Sequence, residues 1–413
     1  MRSFVLLAIA LLATIATGQP NPGDWILSDA SVSATGGLLR VNPTSGAFSL
    51  VYNVRPNGYF NGVMMGINNQ DHAILWSGGP YHAAHVSPAG VLTTLGPVGM
   101  GPFSDSPNGI EADQDGNYVC TTAQSNGFYR IDSTTGASTS LLSVPGVNFG
   151  LTASTIDQDT GNYVFGFSTG GLFSMDRRTN VMTSIGGAGS SIGAVDFEPR
   201  TGDYVVVSPG NLFASSYVRR ITRAGVTSTL LVGSVGQYNA VKVEDDTGNL
   251  LVAGSDNARL VDRTGAPIRT FTGLGGVYAS GAEIYGSRKV AGAGPATPAS
   301  TYAIYFSFPQ SPGAVYVAAL SLGLRPGIPM PPPDNRMLNL DFTSPLFGLS
   351  IGGIPGITTG FLGTLDPFGR ASGSLLIPSP FTAGIRIFCA AVAVNPAFPT
   401  SLDLGNTWAF TTN

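Results

Sequence analysis

The sequence predicts an all-β protein, a six-bladed β-propeller with a shared closing blade followed by a β-sandwich. Three observations predict it. Asn108–Leu142 reads as four short strands, and units of this kind recur along the chain at a period of about forty residues. Charged residues make up only 11% of the chain, while Gly numbers 56 and Pro 29, the balance of a protein built from buried strands and tight turns. A lone strand then returns after the last full unit, where the first unit lacks one.

The N-terminus comes first. Arg2 is a short positive region, Phe4 to Ile15 an apolar run, and Ala16-Thr17-Gly18 supplies the small residues of a cleavage site. Residues 1–18 therefore read as a cleaved secretory signal, and the run is short for a bilayer span. The expectation is an exported protein, extracellular or periplasmic, with no transmembrane segment once the signal is removed.

Within the repeating unit, Asn108–Ala112 is the first strand, Asp113–Asn117 a turn and Tyr118–Thr122 the second strand. Phe128–Ile131 follows as the third, Asp132–Gly136 as a second turn and Ser138–Leu142 as the fourth. The strands are rich in β-branched and aromatic residues, and Asp/Gly or Thr/Gly chemistry bounds them. Trp25–Asp29 aligns with the second strand of this unit, so the region 23–285 begins inside a blade. Further second strands are Ala73–Trp76, Tyr163–Phe167, Tyr204–Val207 and Leu250–Ala253. Val277–Tyr285 matches a first strand alone and supplies the missing member. Counting it gives six blades and a closed ring without exposed edges, against a seven-bladed or open array as the alternative.

Gly286 to Ser300, small and Pro-containing without periodicity, reads as a linker. Residues 301–413 follow with eight strand-like runs: Tyr302–Phe308, Val315–Leu322, Met337–Phe342, Leu346–Ile351, Gly360–Leu365, Ser372–Ile377, Gly384–Val392 and Asn406–Thr411. That spacing suits a sandwich.

The net charge of −4 includes only two lysines, Lys242 and Lys289, and scattered arginines, which excludes a phosphate-tracking surface and hence nucleic acid. The partners left open are a protein, a glycan or a small molecule. Cys120 and Cys389 fall in different regions, and Cys120 takes the core position held elsewhere by Leu27, Phe165, Val206 and Val252. Neither a disulfide nor an activated thiol is expected.

Pro107-Asn108-Gly109-Ile110, Asp113–Val119 and Tyr129-Arg130-Ile131-Asp132 carry a resemblance. On these residues the repeats resemble the NHL, gluconolactonase-like and virginiamycin B lyase-like six-bladed propellers. Residues 301–413 look like the sandwich appended to many secreted bacterial repeat proteins. The first resemblance implies a calcium site in the channel, built from Asn and acidic side chains near the starts of the inner strands. Here that set is Asn61, Asn108 and Asn239, with Glu283 on the same side of its strand as Gly281. Calcium takes roughly six to eight oxygens, often several of them carboxylates. The alternative is that these amides hydrogen-bond the turns entering each inner strand.

Asp113-Gln114-Asp115-Gly116-Asn117 imitates a calcium loop, yet it recurs as DQDTGN, EPRTGD and DDTGN and lacks the closing Glu, since Gln124 stands twelfth. Recurrence at one hairpin marks turn chemistry. His72, His82 and His85 lie in one blade; His82 and His85 would point to opposite strand faces, and His85 takes the position of Arg40, Arg130 and Arg220. No nucleophile elbow, phosphate loop or HExxH motif is present. Glu111, Asp196 and Glu283 are acids on inner strands, facing either the channel or the gaps between blades. The sequence thus predicts a secreted, non-catalytic binding or scaffold protein, with a calcium-dependent hydrolase or lyase working in the channel as the alternative.

Overall fold

The computed structural model describes residues 20–413 apart from 22, 30–36, 54–72, 77–81, 88, 98–106, 123–126, 144–149, 210–214, 235–236, 275–277, 288, 331–333, 335, 380 and 395–401. The leader 1–18, Asn61 and His72 thus lie outside the described residues.

The described chain is all-β apart from one short helix. In the repeat region the chain makes antiparallel sheets by consecutive hairpins. The third sheet is Pro107–Ala112, Tyr118–Thr122, Gly127–Ile131 and Ser138–Ser143, in that spatial order. The fourth, fifth and sixth repeat this plan from the inner strands Leu151–Ile156, Ala194–Glu198 and Ala240–Val243. The second sheet shows three strands, Ala73–Trp76, His82–Val86 and Leu92–Pro97.

In the first sheet the last strand of the repeat region pairs with the first. Ala279–Ile284 pairs antiparallel with Trp25–Asp29, setting Ile284 opposite Trp25 and Glu283 opposite Ile26. Its remaining strands are Gly37–Val41 and Phe48–Asn53. The inner strands of the third, fourth, fifth, sixth and first sheets lie side by side in that order, as they do in a β-propeller.

Burial explains why the strands read as they do. The second strands Trp25–Asp29, Tyr118–Thr122, Tyr163–Phe167 and Leu250–Gly254 are buried throughout, because neighbouring sheets cover both faces, and their sequences are near-continuous apolar runs. The outermost strands, such as Pro267–Thr272, are largely exposed and polar. Cys120 and Cys389 are both buried free thiols.

After the repeats two more sheets form. One is Val290–Ala293, Thr301–Ser307, Arg370–Leu376 and Thr358–Thr359. The other is Leu362–Thr364, Val315–Ser321, Arg386–Val394 and Leu402–Leu404, with Trp408–Thr411 also pairing to Arg386–Val394. Their facing residues, among them Tyr302, Phe306, Tyr316, Ile387 and Phe410, share one buried cluster.

Three expectations are corrected here. The stretch read as a linker contains the strand Val290–Ala293, whose small side chains hid a pairing that Thr301–Ser307 decides. Leu346–Ile351, read as a strand, belongs to the helix Pro345–Ser350, which Pro345 opens at its first turn. Of Met337–Phe342 only Met337–Leu338 is strand, paired with Ile328–Pro329.

The C-terminal region is not a separate body on a tether. Leu324, Leu338, Leu340, Phe388 and Ala409 belong to the same buried cluster as Ala153, Val164, Phe197 and Val206 of the repeats. Around this cluster, the turns that leave the inner strands receive the C-terminal polar groups. Tyr302 Oη donates to Gln114 O at 2.7 Å, Arg386 Nε to Gln158 O at 2.8 Å, and Arg325 Nη1 to Pro199 O at 2.9 Å. Asn339 Nδ2 donates to Asp245 O at 2.5 Å. Gly161 in one such turn has φ of +78°, and a Cβ there would lie 2.5 Å from the Arg386 guanidinium. Glycine is therefore required twice over, for the left-handed backbone and for the close approach.

Candidate functional site, a charged ring on the channel axis

Register places one residue of each inner strand at the same level. Glu111 stands opposite Val119, Thr155 opposite Val164, Asp196 opposite Val205, Lys242 opposite Leu251 and Glu283 opposite Ile26. Each lies one residue before the inner-strand residue that faces the buried aromatic or Leu opening the second strand. Since the inner strands are neighbours, these five side chains form an arc around the axis.

Lys242 joins two of the acids. Its Nζ is 3.4 Å from Glu283 Oε2 and 3.7 Å from Asp196 Oδ2. Asp196 is held further: Oδ1 accepts from Phe197 N at 2.9 Å and from Thr155 Oγ1 at 3.3 Å, and Oδ2 from Val243 N at 2.8 Å. Glu283 Oε1 accepts from Ile284 N at 3.3 Å and Ser287 Oγ at 3.4 Å.

Electrostatics follow from this crowding. Burial, only partly offset by the Lys242 ammonium and reinforced by Asp196, pushes the Glu283 carboxyl up to about 7. The Asp245 carboxyl, just beyond Lys242 in sequence, is likewise pushed up to about 7, mainly by burial. Burial works against the charge on Lys242, but Asp196 and Glu283 outweigh it and hold the ammonium above its ordinary range.

Glu283 and Asp245 bind a proton more firmly folded than unfolded. They favour the folded state at low pH, and that contribution is lost as pH rises from the ordinary carboxylate range to about 7. Asp132, Asp176 and Asp262 act in the opposite sense. Backbone and Thr hydrogen bonds in their turns lower them, so their contribution is lost as pH falls below the ordinary Asp range. The expected result is a melting temperature highest at about pH 4–5 that declines as the pH rises to about 7. Glu283→Gln should flatten the decline, and an unchanged slope in that variant would refute the assignment.

The ring separates two cavities. One, of about 80 Å³, lies between the ring and the C-terminal region, bounded by Lys242, Asp245 and Gln158 on one side and by Arg386, Thr407 and Trp408 on the other. The second, of about 50 Å³, lies on the opposite side of the ring against Gly109, Ala240, Ser280 and Gly281. Each has room for a few water molecules. The C-terminal region thus covers this end of the arc. Arg386 is anchored there by Gln158 O and by Thr411 Oγ1, 2.9 Å from its Nη1, and burial pulls its guanidinium down to about 10.

Of the residues predicted as a calcium site, two have described side chains. Glu283 is in the ring. Asn239 is buried at the opposite end, where its Oδ1 accepts from Tyr278 Oη at 3.4 Å. Asn239 precedes Lys242 by three residues, so it stands about 10 Å along the strand from the level of Glu283. Asn108 lies in the strand Pro107–Ala112, and its side chain is outside the described residues. The described donors do not fit a calcium ion: an ammonium already occupies the side of Glu283 that a cation would need. Among the described residues no group of three or more His, Cys, Asp and Glu is disposed to hold a metal.

The other candidates resolve into structure. Asp113 Oδ1 accepts from Asp115 N at 2.9 Å and Asn117 N at 3.0 Å, turning the chain, while its Oδ2 takes Arg130 Nε at 2.5 Å. Arginines of one sheet reach carboxylates of the sheet before it: Arg177 to Asp115, Arg223 to Asp157 and Arg263 to Glu198. His85 Nε2 is 2.7 Å from Tyr118 Oη, joining the second sheet to the third. Lys242 and Thr155 are the ring members that sequence reasoning did not single out. Carrying the offset of Glu111 from its turn into each repeat finds both.

No family model matches the sequence, and no curated protein matches it. Among solved structures the chain is similar to a gluconolactonase candidate, at 14% identity over 59% of this chain and 84% of that one, with a TM-score of 0.43. It is similar also to a catalytically inactive virginiamycin B lyase from Staphylococcus aureus with quinupristin, at 12% identity over 69% and 92% of the two chains, TM-score 0.43. A chain of a mitotic checkpoint complex matches at 13% identity over 61% and 76%, TM-score 0.41. These likenesses carry no argument about what this chain binds or does.

Proposed function

We propose that the protein is an exported binding protein, a six-bladed β-propeller with a C-terminal β-sandwich, that holds its ligand without transforming it. One observation carries this reading. The acids at the centre of the channel are engaged with the chain's own cation, Lys242, so the axis is organised as a structural ion cluster. The propeller then serves as a rigid frame, and the sandwich closes one end of it. Ligand approaches from the other end or binds on the outer surface.

A second reading, a hydrolase or lyase in the channel, draws on Glu283 and Asp245, whose carboxyls titrate near neutrality as general acids and bases do. Thermal unfolding with calcium and then with excess chelator separates the two. A ligand bound only by the folded state adds about 2.7 kcal/mol at a hundredfold excess over its Kd. Superimposable curves are expected. A calcium-dependent rise that disappears in Asn108→Ala would instead establish the metal-dependent alternative and call for lactone assays.

A further inference from the structure

A larger groove lies away from the channel, between the third repeat sheet and the first C-terminal sheet. Its volume is about 870 Å³, within the range of small-molecule and oligomer sites. One wall is the outward face of the sheet containing Thr301–Ser307. Tyr305 stands there 39% exposed, and its cross-strand neighbours are Ala291 and Ser372. Both directly opposed neighbours are small, so neither covers the phenol ring. Arg370 lies one row further along, opposite Ser307, with its guanidinium free of any hydrogen-bond or ion-pair partner among the described residues.

The facing wall is made by the turns of the third sheet. Ser133 and Thr134 line it, and so does Asp115, whose Oδ2 is bound by Arg130 and Arg177. The other oxygen, Oδ1, is buried without a hydrogen-bond partner. That oxygen has no accessible surface, so what this wall presents to a ligand is its hydroxyls.

We propose that this groove binds an oligosaccharide, with one sugar ring stacked on Tyr305 and hydroxyls shared between Arg370 and the Ser133–Thr134 wall. The chemistry decides the class. The groove offers a single open aromatic face, suited to the apolar face of a pyranose, and no apolar pocket for a hydrophobic anchor. Around that face stand the Arg370 guanidinium and the hydroxyls of Ser133 and Thr134, donors and acceptors that sugar hydroxyls, which both donate and accept, can meet together. A peptide added to the sheet edge is the weaker match. Asn406 already occupies the start of the edge strand, with its Oδ1 accepting from Val290 N at 2.7 Å and its Nδ2 donating to Val290 O at 3.0 Å.

This inference rests on the binding-protein reading and names its site and ligand. The test is calorimetric titration of the mature chain with four probes: cellohexaose, chitohexaose, xylohexaose and maltohexaose. At least one is expected to bind with a Kd below about 1 mM, weakened ~10-fold or more in Tyr305→Ala and far less in Tyr305→Phe, which keeps the ring. Phe48→Ala, an exposed aromatic on the outer strand of the first sheet, should leave the affinity unchanged. Binding that survives Tyr305→Ala overturns the groove and leaves the binding-protein reading standing at another surface. Shortening of the probe during incubation overturns the non-catalytic reading while the groove stands. The absence of binding for all four, or the capture of an extended peptide through Tyr305 instead, overturns the saccharide assignment.

Discussion

Removal of residues 286–413 is expected to leave a chain that aggregates instead of folding as a monomer. The reason is the shared core. Leu324, Leu338, Leu340 and Phe388 are each at most 6% exposed and pack in one cluster with Ala153, Val164, Phe197 and Val206. Uncovering side chains of this size costs ~1.5–3 kcal/mol each, so the four together represent on the order of 10 kcal/mol. That is comparable with the whole stability of an ordinary domain, ~5–15 kcal/mol. The truncation also strips the turn carbonyls of Gln114, Gln158, Pro199 and Asp245 of their donors. Size-exclusion chromatography and near-ultraviolet circular dichroism of residues 20–285 check this. A soluble monomer melting cooperatively within a few degrees of the full chain would show that the repeats are self-sufficient. Phe388→Ala in the full chain tests the same interface without truncation, with an expected loss of about 3–5 kcal/mol.

The repeats were legible because their strands are short, their turns chemically marked and their second strands apolar throughout. Asp132 shows why the marking is reliable: its Oδ1 accepts from Thr134 N, Thr135 N and Thr135 Oγ1, a cage that Asp176 and Thr179 rebuild one sheet later. Local chemistry of this kind is written in adjacent residues. The C-terminal region was less legible, because Val290–Ala293 is strand only through its partner and Leu346–Ser350 is too short for periodicity to separate helix from strand. The Pro at 345 was the available signal. The interface between the two regions left no trace in sequence, since the turns at Asp113 and Asp157 read the same whether or not arginines from elsewhere dock on them. The ring was half legible. Glu111, Asp196 and Glu283 announced themselves as acids on inner strands, whereas Lys242 counted only as one of two lysines. Its meaning is set by long-range neighbours, Asp196 being 46 positions earlier and Glu283 41 later.

Lys242→Met should be the most damaging single substitution on the axis. The methionine keeps the length of the side chain but removes the cation from two buried carboxylates. Glu283 has 2% of its side chain exposed and Asp196 11%, so neither recovers solvation by turning outward. Breaking a buried pair from one side costs about 3–5 kcal/mol, because the remaining charge is stranded. The penalty carries a pH signature that a packing defect would lack. Without Lys242, Glu283 has lost the charge that favours its ionised form, so its folded-state affinity for protons rises further. Lowering the pH from about 8 to about 5 should therefore protonate Glu283 and recover part of the lost stability. Glu283→Gln in the same chain should recover part of it at about pH 8, where it removes one stranded charge, and little at about pH 5. Denaturant unfolding of the wild type, both single variants and the double variant closes this cycle. A loss in Lys242→Met below about 0.5 kcal/mol, or one of equal size at both ends of the pH range, would mean that the ammonium does not organise the axis. The acids would then be free to serve chemistry, and the case for a catalytic channel would reopen on Glu283 and Asp245.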